Sequence, residues 1–119
     1  MTKLVFFRSD GIFYGFEEQG HTGYGQEGDD IICAALSAMT MLIVNAIEVS
    51  YDSNIDYSID EQTAEITVLA KAALPECEED EKKQYAVSGL LNGLYLQLTD
   101  MLEDYYDYIE VEVVEDPQI

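Results

Sequence analysis

The sequence is short of several things, and each shortage narrows what the chain can do. Five of its 119 residues are basic and 25 are acidic, a formal net charge of −20. Phosphate binding needs a basic surface, so this balance argues against nucleic acid and against anionic membranes as partners. It favours solubility and a basic partner. Histidine occurs once, at His21, and cysteine twice, at Cys33 and Cys77, with no CxxC and no second His. A structural zinc site is not expected, nor any metal or cofactor. No run approaches the ~18 consecutive apolar residues of a membrane span. The start, MTKLVFFRSDG, is interrupted too soon for a signal peptide. These absences place the protein in a reducing cytoplasm, with both thiols unpaired.

What is present suffices for a core. Apolar residues make up 48% of a chain whose length fits one domain, residues 1–119, without help from metals or disulfides. Residues 2–8 (TKLVFFR) and 12–18 (IFYGFEE) are dense in β-branched and aromatic side chains. With Ser9-Asp10-Gly11 between them as a three-residue turn, they read as a β-hairpin. The hairpin holds all four phenylalanines, Phe6, Phe7, Phe13 and Phe16, and is expected to be central to the core.

From Asp30, a plausible N-cap, Ile32, Leu36, Met39, Ile43 and Ala46 recur at helical spacing. Ile31 and Val44 broaden the apolar surface, so this helix should be covered on more than one side. A weak strand pattern lies within 51–60 and a clearer one within 63–73, ended by Pro75. After the acidic run 76–83, Val87, Leu90, Leu91, Leu94, Leu98, Met101 and Leu102 mark a second helix to about Asp104. Gly89 and Gly93 inside it each cost about 0.8–1 kcal/mol relative to Ala, which close approach to a neighbouring element would explain. Alternation over 105–115 gives a last strand. The fold class is therefore α+β. It is a single two-layer domain in the order ββ-α-ββ-α-β, with a mostly antiparallel or mixed sheet and two helices packed on one face. Leu69 and the tyrosines on the other face are candidates for a dimer contact.

The stretch 20–37, GHTGYGQEGDDIICAALS, carries the chemistry. A cysteine in an apolar helix is ordinarily structural. With Asp30 as cap, Cys33 would be the third helical residue. The helix dipole there stabilises a thiolate by only ~0.3–1 kcal/mol. Asp29 and Asp30 oppose that, so a cation must supply the rest. His21 lies just after a strand, and closing the ~12-residue loop to Cys33 costs only ~2 kcal/mol. The two can form a thiolate–imidazolium pair, the usual activated cysteine. Asp30 and Ser37 share a helix face with Cys33. Either Asp30 caps and Ser37 bonds back to the helix, or one of them orients His21 or the substrate. The run GYGQEG matches GxGxxG, yet three carboxylates beside it would repel a pyrophosphate and no βαβ unit follows. Its glycines read either as a flap over the thiol or as an ordinary loop. Cys77, among Glu76, Glu78, Glu79 and Asp80, reads as a bystander.

Gly20-His21 followed by Gly28-Asp29-Asp30-Ile31-Ile32-Cys33-Ala34-Ala35-Leu36-Ser37 resembles the ribosomal-processing cysteine protease family, Prp. In that family's pattern a GH pair precedes a G-x-D-I-V-C-A-A-x-S run. Ile32 here replaces the usual valine, and Thr22 stands where a small residue is common. The resemblance implies a dimeric α/β protease that removes the N-terminal extension of large-subunit ribosomal protein number twenty-seven during ribosome assembly. It assigns Cys33 as nucleophile and His21 as general base, with Asp30 and Ser37 as supporting positions. The expected partner is the basic N-terminal segment of that precursor, and a surface of −20 would steer it. Backbone amides at the helix start would serve as oxyanion donors. The competing reading is a non-enzymatic acidic dimer that binds basic ribosomal or nucleic-acid-binding proteins through charge alone. A further one is a cysteine hydrolase with another substrate.

Overall fold

The computed structural model describes residues 1–20, 27–63 and 65–115, the side chains of 27–30 excepted. Strands β1 (Thr2–Ser9) and β2 (Ile12–Gln19) form the hairpin. Its connection is shorter than the sequence indicates. Ser9 pairs directly with Ile12, so the loop is two residues, Asp10 (φ 52°) and Gly11 (φ 80°). Two successive positive φ values make the primed turn that matches the twist of a tight hairpin, and glycine suits its second position. A bulge between Phe7 and Arg8 shifts the register near the turn.

Helix α1 (Glu27–Asn45) follows and widens into a π-helical turn at Ala46–Ser50. Tyr51 N–H donates to the Ala46 carbonyl there at 3.0 Å. Strands β3 (Asp56–Ile59) and β4 (Ile66–Leu69) form a second, shorter hairpin. The strand expected over 63–73 is thus confined to four residues, because the chain turns at Ala70 into one 3₁₀ turn, Lys71–Ala73. Helix α2 (Glu81–Tyr105) opens on Asp80, whose carboxylate accepts the Lys82 N–H at 2.9 Å. Strand β5 (Ile109–Glu115) closes the fold.

The five strands lie in the order β3-β4-β2-β1-β5. All neighbours are antiparallel except β1 and β5, which pair in parallel, so the sheet is mixed. The parallel seam is reinforced by Lys3–Glu112 (2.8 Å) and Arg8–Glu115 ion pairs. Cross-strand pairing puts Leu4, Phe6, Phe16, Glu18 and Val68 on one face. Phe6 meets Tyr95 of α2 edge-on at 5.3 Å, and Glu18 meets Thr40 of α1. Both helices therefore cover that face. Phe6, packed against Phe13, Phe16 and Tyr95, is the centre of the core. Each such ring contributes a large buried apolar area plus a favourable edge-on or offset contact.

Three expectations need correction. First, the stretch Ile31–Ser50 has the length and mean hydropathy (1.9) to cross a bilayer, although polar residues interrupt its apolar runs. In the fold its Ile32, Leu36, Ile43, Val44 and Ile47 sit in the core. Second, Ile31 is not covered by the chain: it is 63% exposed, in line with Leu42 (65%) and Val49 (74%) on the outer face of the helical run. Third, nothing approaches Gly89 or Gly93 within 4 Å of where a Cβ would lie. They line an apolar groove of about 300 Å³ between α1 and α2, with Met39, Leu42, Ile43, Leu90 and Leu94.

Candidate active site

The site begins where β2 ends. Strand β2 is the middle strand of the sheet, held by β1 on one side and β4 on the other. Its last residues are therefore fixed from both sides: Glu18 faces Leu4 and Ile66, and Gln19 faces Lys3. The chain then reaches Gly20 with φ 80°, a conformation L side chains rarely adopt. A Cβ at Gly20 would also lie 2.6 Å from the Met1 carbonyl oxygen. Glycine is thus required here twice, by dihedral and by space. Gly20 consequently sits directly after an anchored strand end, and His21 follows it in sequence. His21 lies outside the described residues.

Cys33 is on α1, which resumes at Glu27. It is half-buried, between the buried Ile32 and the exposed Ala34. Because the helix starts three residues before Asp30, Cys33 is its seventh residue and not its third, and Asp30 is its fourth residue and not its N-cap. The dipole acts mainly within the first turn, and the unpaired amides are confined to it. The first-turn amides of Glu27–Asp30 therefore lie about 4.5–9 Å of helix before Cys33, further back than a helix start at Asp30 would put them. The same shift leaves the case for activation resting on His21.

Ser37 stands one turn beyond Cys33 and is exposed; Asp30 lies on the described backbone of α1 with its side chain outside the description. Neither cysteine is in a disulfide. Cys77 is exposed and lines a pocket of about 390 Å³ with Asn54, Asp56, Leu69, Lys71 and Glu78. That pocket adjoins the Leu69 end of β4, whereas Ile66 at the other end pairs with Glu18. Cys77 therefore lies toward the Leu69 end of β4. Among the described residues no three His, Cys, Asp or Glu side chains are grouped to hold a metal ion.

Sequence reasoning missed a buried polar contact near the end of β2. Glu18 is 1% exposed, and its carboxylate accepts a hydrogen bond from the buried Thr40 hydroxyl of α1. Two adjacent glutamates, Glu17 and Glu18, precede the last residue of β2, and the inward alternation set by Phe16 is the signal that marks Glu18 as the buried one.

Comparison with known proteins agrees with this architecture. No curated protein matches the chain in sequence. Among solved structures, SMU.848 from Streptococcus mutans superposes with a TM-score of 0.79 at 28% identity, covering 98% of this chain and 99% of that one. The essential ribosomal processing protease Prp from S. aureus, in complex with a substrate peptide, superposes with a TM-score of 0.77 at 21% identity, covering 96% and 100%. The same S. aureus protease with a covalently linked product peptide gives 0.74. The sequence model of the family described as cysteine protease Prp matches residues 1–110, so the chain belongs to the Prp family of cysteine proteases.

Proposed function

We propose that this cysteine protease removes the N-terminal extension of large-subunit ribosomal protein number twenty-seven, with Cys33 as nucleophile and His21 as general base. The observation that carries the assignment is the position of Cys33. It is half-buried on a helix that follows the anchored end of β2 by seven intervening residues, and the only histidine lies in that interval. Cys77 has no such neighbour and is surrounded by carboxylates.

In the proposed reaction His21 takes the Cys33 thiol proton, and the thiolate sulfur attacks the scissile carbonyl carbon. The C–N bond breaks as His21 gives its proton to the leaving amine, which leaves a thioester on Cys33. Water then attacks the thioester, with His21 accepting its proton. The C–S bond breaks, the peptide leaves as a carboxylate, and the thiol is regenerated. The S. aureus relative bearing a covalently linked product peptide supports a route through a covalent intermediate. Asp30 and Ser37 flank Cys33 on the helix and are assigned to supporting the substrate or His21.

The net charge of −20 supports a basic substrate segment, and the reaction is assigned to the cytoplasm. The outer face of α1 supports a homodimer, since Ile31, Leu42 and Val49 form an apolar stripe that the chain itself leaves open. Incubating the protein with the ribosomal precursor and weighing the products tests the assignment. The expected result is one shortened precursor with the wild-type protein and none with Cys33→Ala. Cleavage by Cys33→Ala at the wild-type rate, or tight binding with no product, would overturn it; the second result would favour the acidic binding module.

A further inference from the structure

We propose that the free edge of β5 is a docking site for an extended, basic peptide segment, which joins the sheet as a further strand. In the reading above, on which its identity rests, that segment belongs to the substrate, away from the scissile bond. Strand β5 ends the order β3-β4-β2-β1-β5, and among the described residues no strand pairs with its far side. One hydrogen bond fixes which backbone groups face that side. Thr2 N–H donates to the Tyr108 carbonyl at 2.9 Å. Residues of a strand direct N–H and C=O together, alternately to its two sides. Glu110, Glu112 and Val114 therefore turn theirs toward β1, and Ile109, Val111, Val113 and Glu115 turn theirs outward. This row runs the seven residues of β5, about 23 Å at ~3.3 Å each, and is a template for a strand laid beside it.

Charge selects the occupant. The register puts Glu110 beside Lys3 and Glu112 beside Val5, so both exposed glutamates share one face of the sheet. Strand β5 carries three glutamates and no basic residue. On its β1 side a cation already answers them, since Lys3 reaches Glu112 across the seam at 2.8 Å. A strand on the free side with basic residues at alternate positions would set them beside Glu110 and Glu112 from the opposite flank, and opposite charges so placed stabilise a sheet. A second copy of β5 fits badly. Antiparallel pairing about Val111 sets Glu110 against Glu112, and pairing about Glu112 sets that residue against itself; like charges directly opposite destabilise. The other edge, β3, is four residues long, carries the single carboxylate Asp56 and exposes Tyr57 and Ile59, so it lacks this pattern.

The probe is a short peptide of alternating lysine and valine, offered to the full chain with two N-methylated forms, one methylated at the lysines and one at the valines. A strand added to β5 turns one set of its amides to the protein and the other to water. One methylated form should therefore bind within about threefold of the parent, and the other should lose at least about tenfold. Amide hydrogen exchange at Val111 and Val113 should slow at least about tenfold on saturation. Val111→Pro removes an outward N–H and no bond to β1, the kind of position at which an edge strand accepts proline. It should weaken the parent peptide at least about tenfold and raise KM for the ribosomal precursor at least about threefold, with kcat within about twofold. If Val111→Pro does not fold, the methylated pair and the exchange rates decide on the wild-type chain. Equal binding of the two methylated forms, or unchanged exchange, means that charge alone holds the peptide and overturns the added strand. Wild-type KM in folded Val111→Pro overturns the substrate's use of the edge and leaves the protease assignment standing. Peptide binding as described with no cleavage of the precursor does the reverse: it sinks that assignment and leaves β5 as a peptide-docking edge.

Discussion

The chain places its two thiols in opposite settings. Cys33 is half-buried on a long helix, which follows in sequence the connection that carries the single histidine. Cys77 is exposed in the segment between β4 and α2, beside Lys71 but amid Glu76, Glu78, Glu79 and Asp80, at the Leu69 end. In the proposed assignment the same functional group is used in one place and left idle in the other. The helix dipole does not make that difference, because Cys33 lies in the second turn of α1, beyond the turn where the dipole acts. What distinguishes the two positions is a rigid mount and a base within reach along the chain. Exposure favours Cys77, so accessibility alone would select the residue that the proposal leaves idle.

The first way to break the comparison is to remove the base. His21→Ala is expected to lower kcat/KM for the ribosomal precursor by about 100- to 10,000-fold, the usual worth of a positioned general acid–base. Kinetics under matched conditions check this, with circular dichroism confirming the fold. The mount itself is probed by Gly20→Ala. A side chain at φ 80° that also meets the Met1 carbonyl costs about 1–3 kcal/mol. Thermal unfolding should register that loss, and cleavage should fall with it while Cys77 alkylation stays unchanged. A smaller effect is expected from salt. Raising ionic strength from about 50 to 500 mM shortens the screening length several-fold and should cut kcat/KM by roughly tenfold through weaker steering of a basic segment to a −20 surface. An uncharged thiol reagent should feel no such change.

Much of the fold was legible in the sequence because the apolar periods are clean. Phe6 and Phe16 alternate correctly on the hairpin, and Val87, Leu91, Leu94 and Leu98 keep the inward face of α2. The start of α1 was less so. Glu27-Gly28-Asp29-Asp30 reads as loop by propensity, yet acidic residues in a first turn suit the helix dipole, and the helix extends over them. The short β3 and β4 were overestimated, since alternation continues into Lys71–Ala73 after the strand has ended. Of the proposed site, His21, Cys33, Asp30 and Ser37 were legible as a motif. Glu18 and Thr40 were not: a glutamate at a strand end and a threonine in a helix ordinarily face solvent, and only the tertiary packing turns both inward.

Two smaller effects sharpen the contrast. Cys77→Ser should leave kcat/KM within about twofold of wild type, since its pocket lies at the Leu69 end of β4; a larger loss would mean the two ends of the sheet are coupled. Smallest of all is Lys3→Gln. The hydrogen bond that Lys3 donates to Glu112, and then the charge of that carboxylate, raise the Lys3 amine above its ordinary value. The stability from this pair is present below the ordinary lysine range and is lost as pH rises through the raised value. Both groups are well exposed, so the shift in melting temperature at neutral pH should be near the limit of detection and confined to low salt.

The most direct measurement is competitive alkylation. The protein is treated near pH 7 with iodoacetamide at well below one equivalent, and the label is apportioned between the Cys33 and Cys77 peptides by mass spectrometry. The account predicts at least about a tenfold preference for Cys33 in the wild-type chain, collapsing toward parity or below in His21→Ala. Preferential labelling of Cys77, or a Cys33 preference that survives loss of His21, would contradict it.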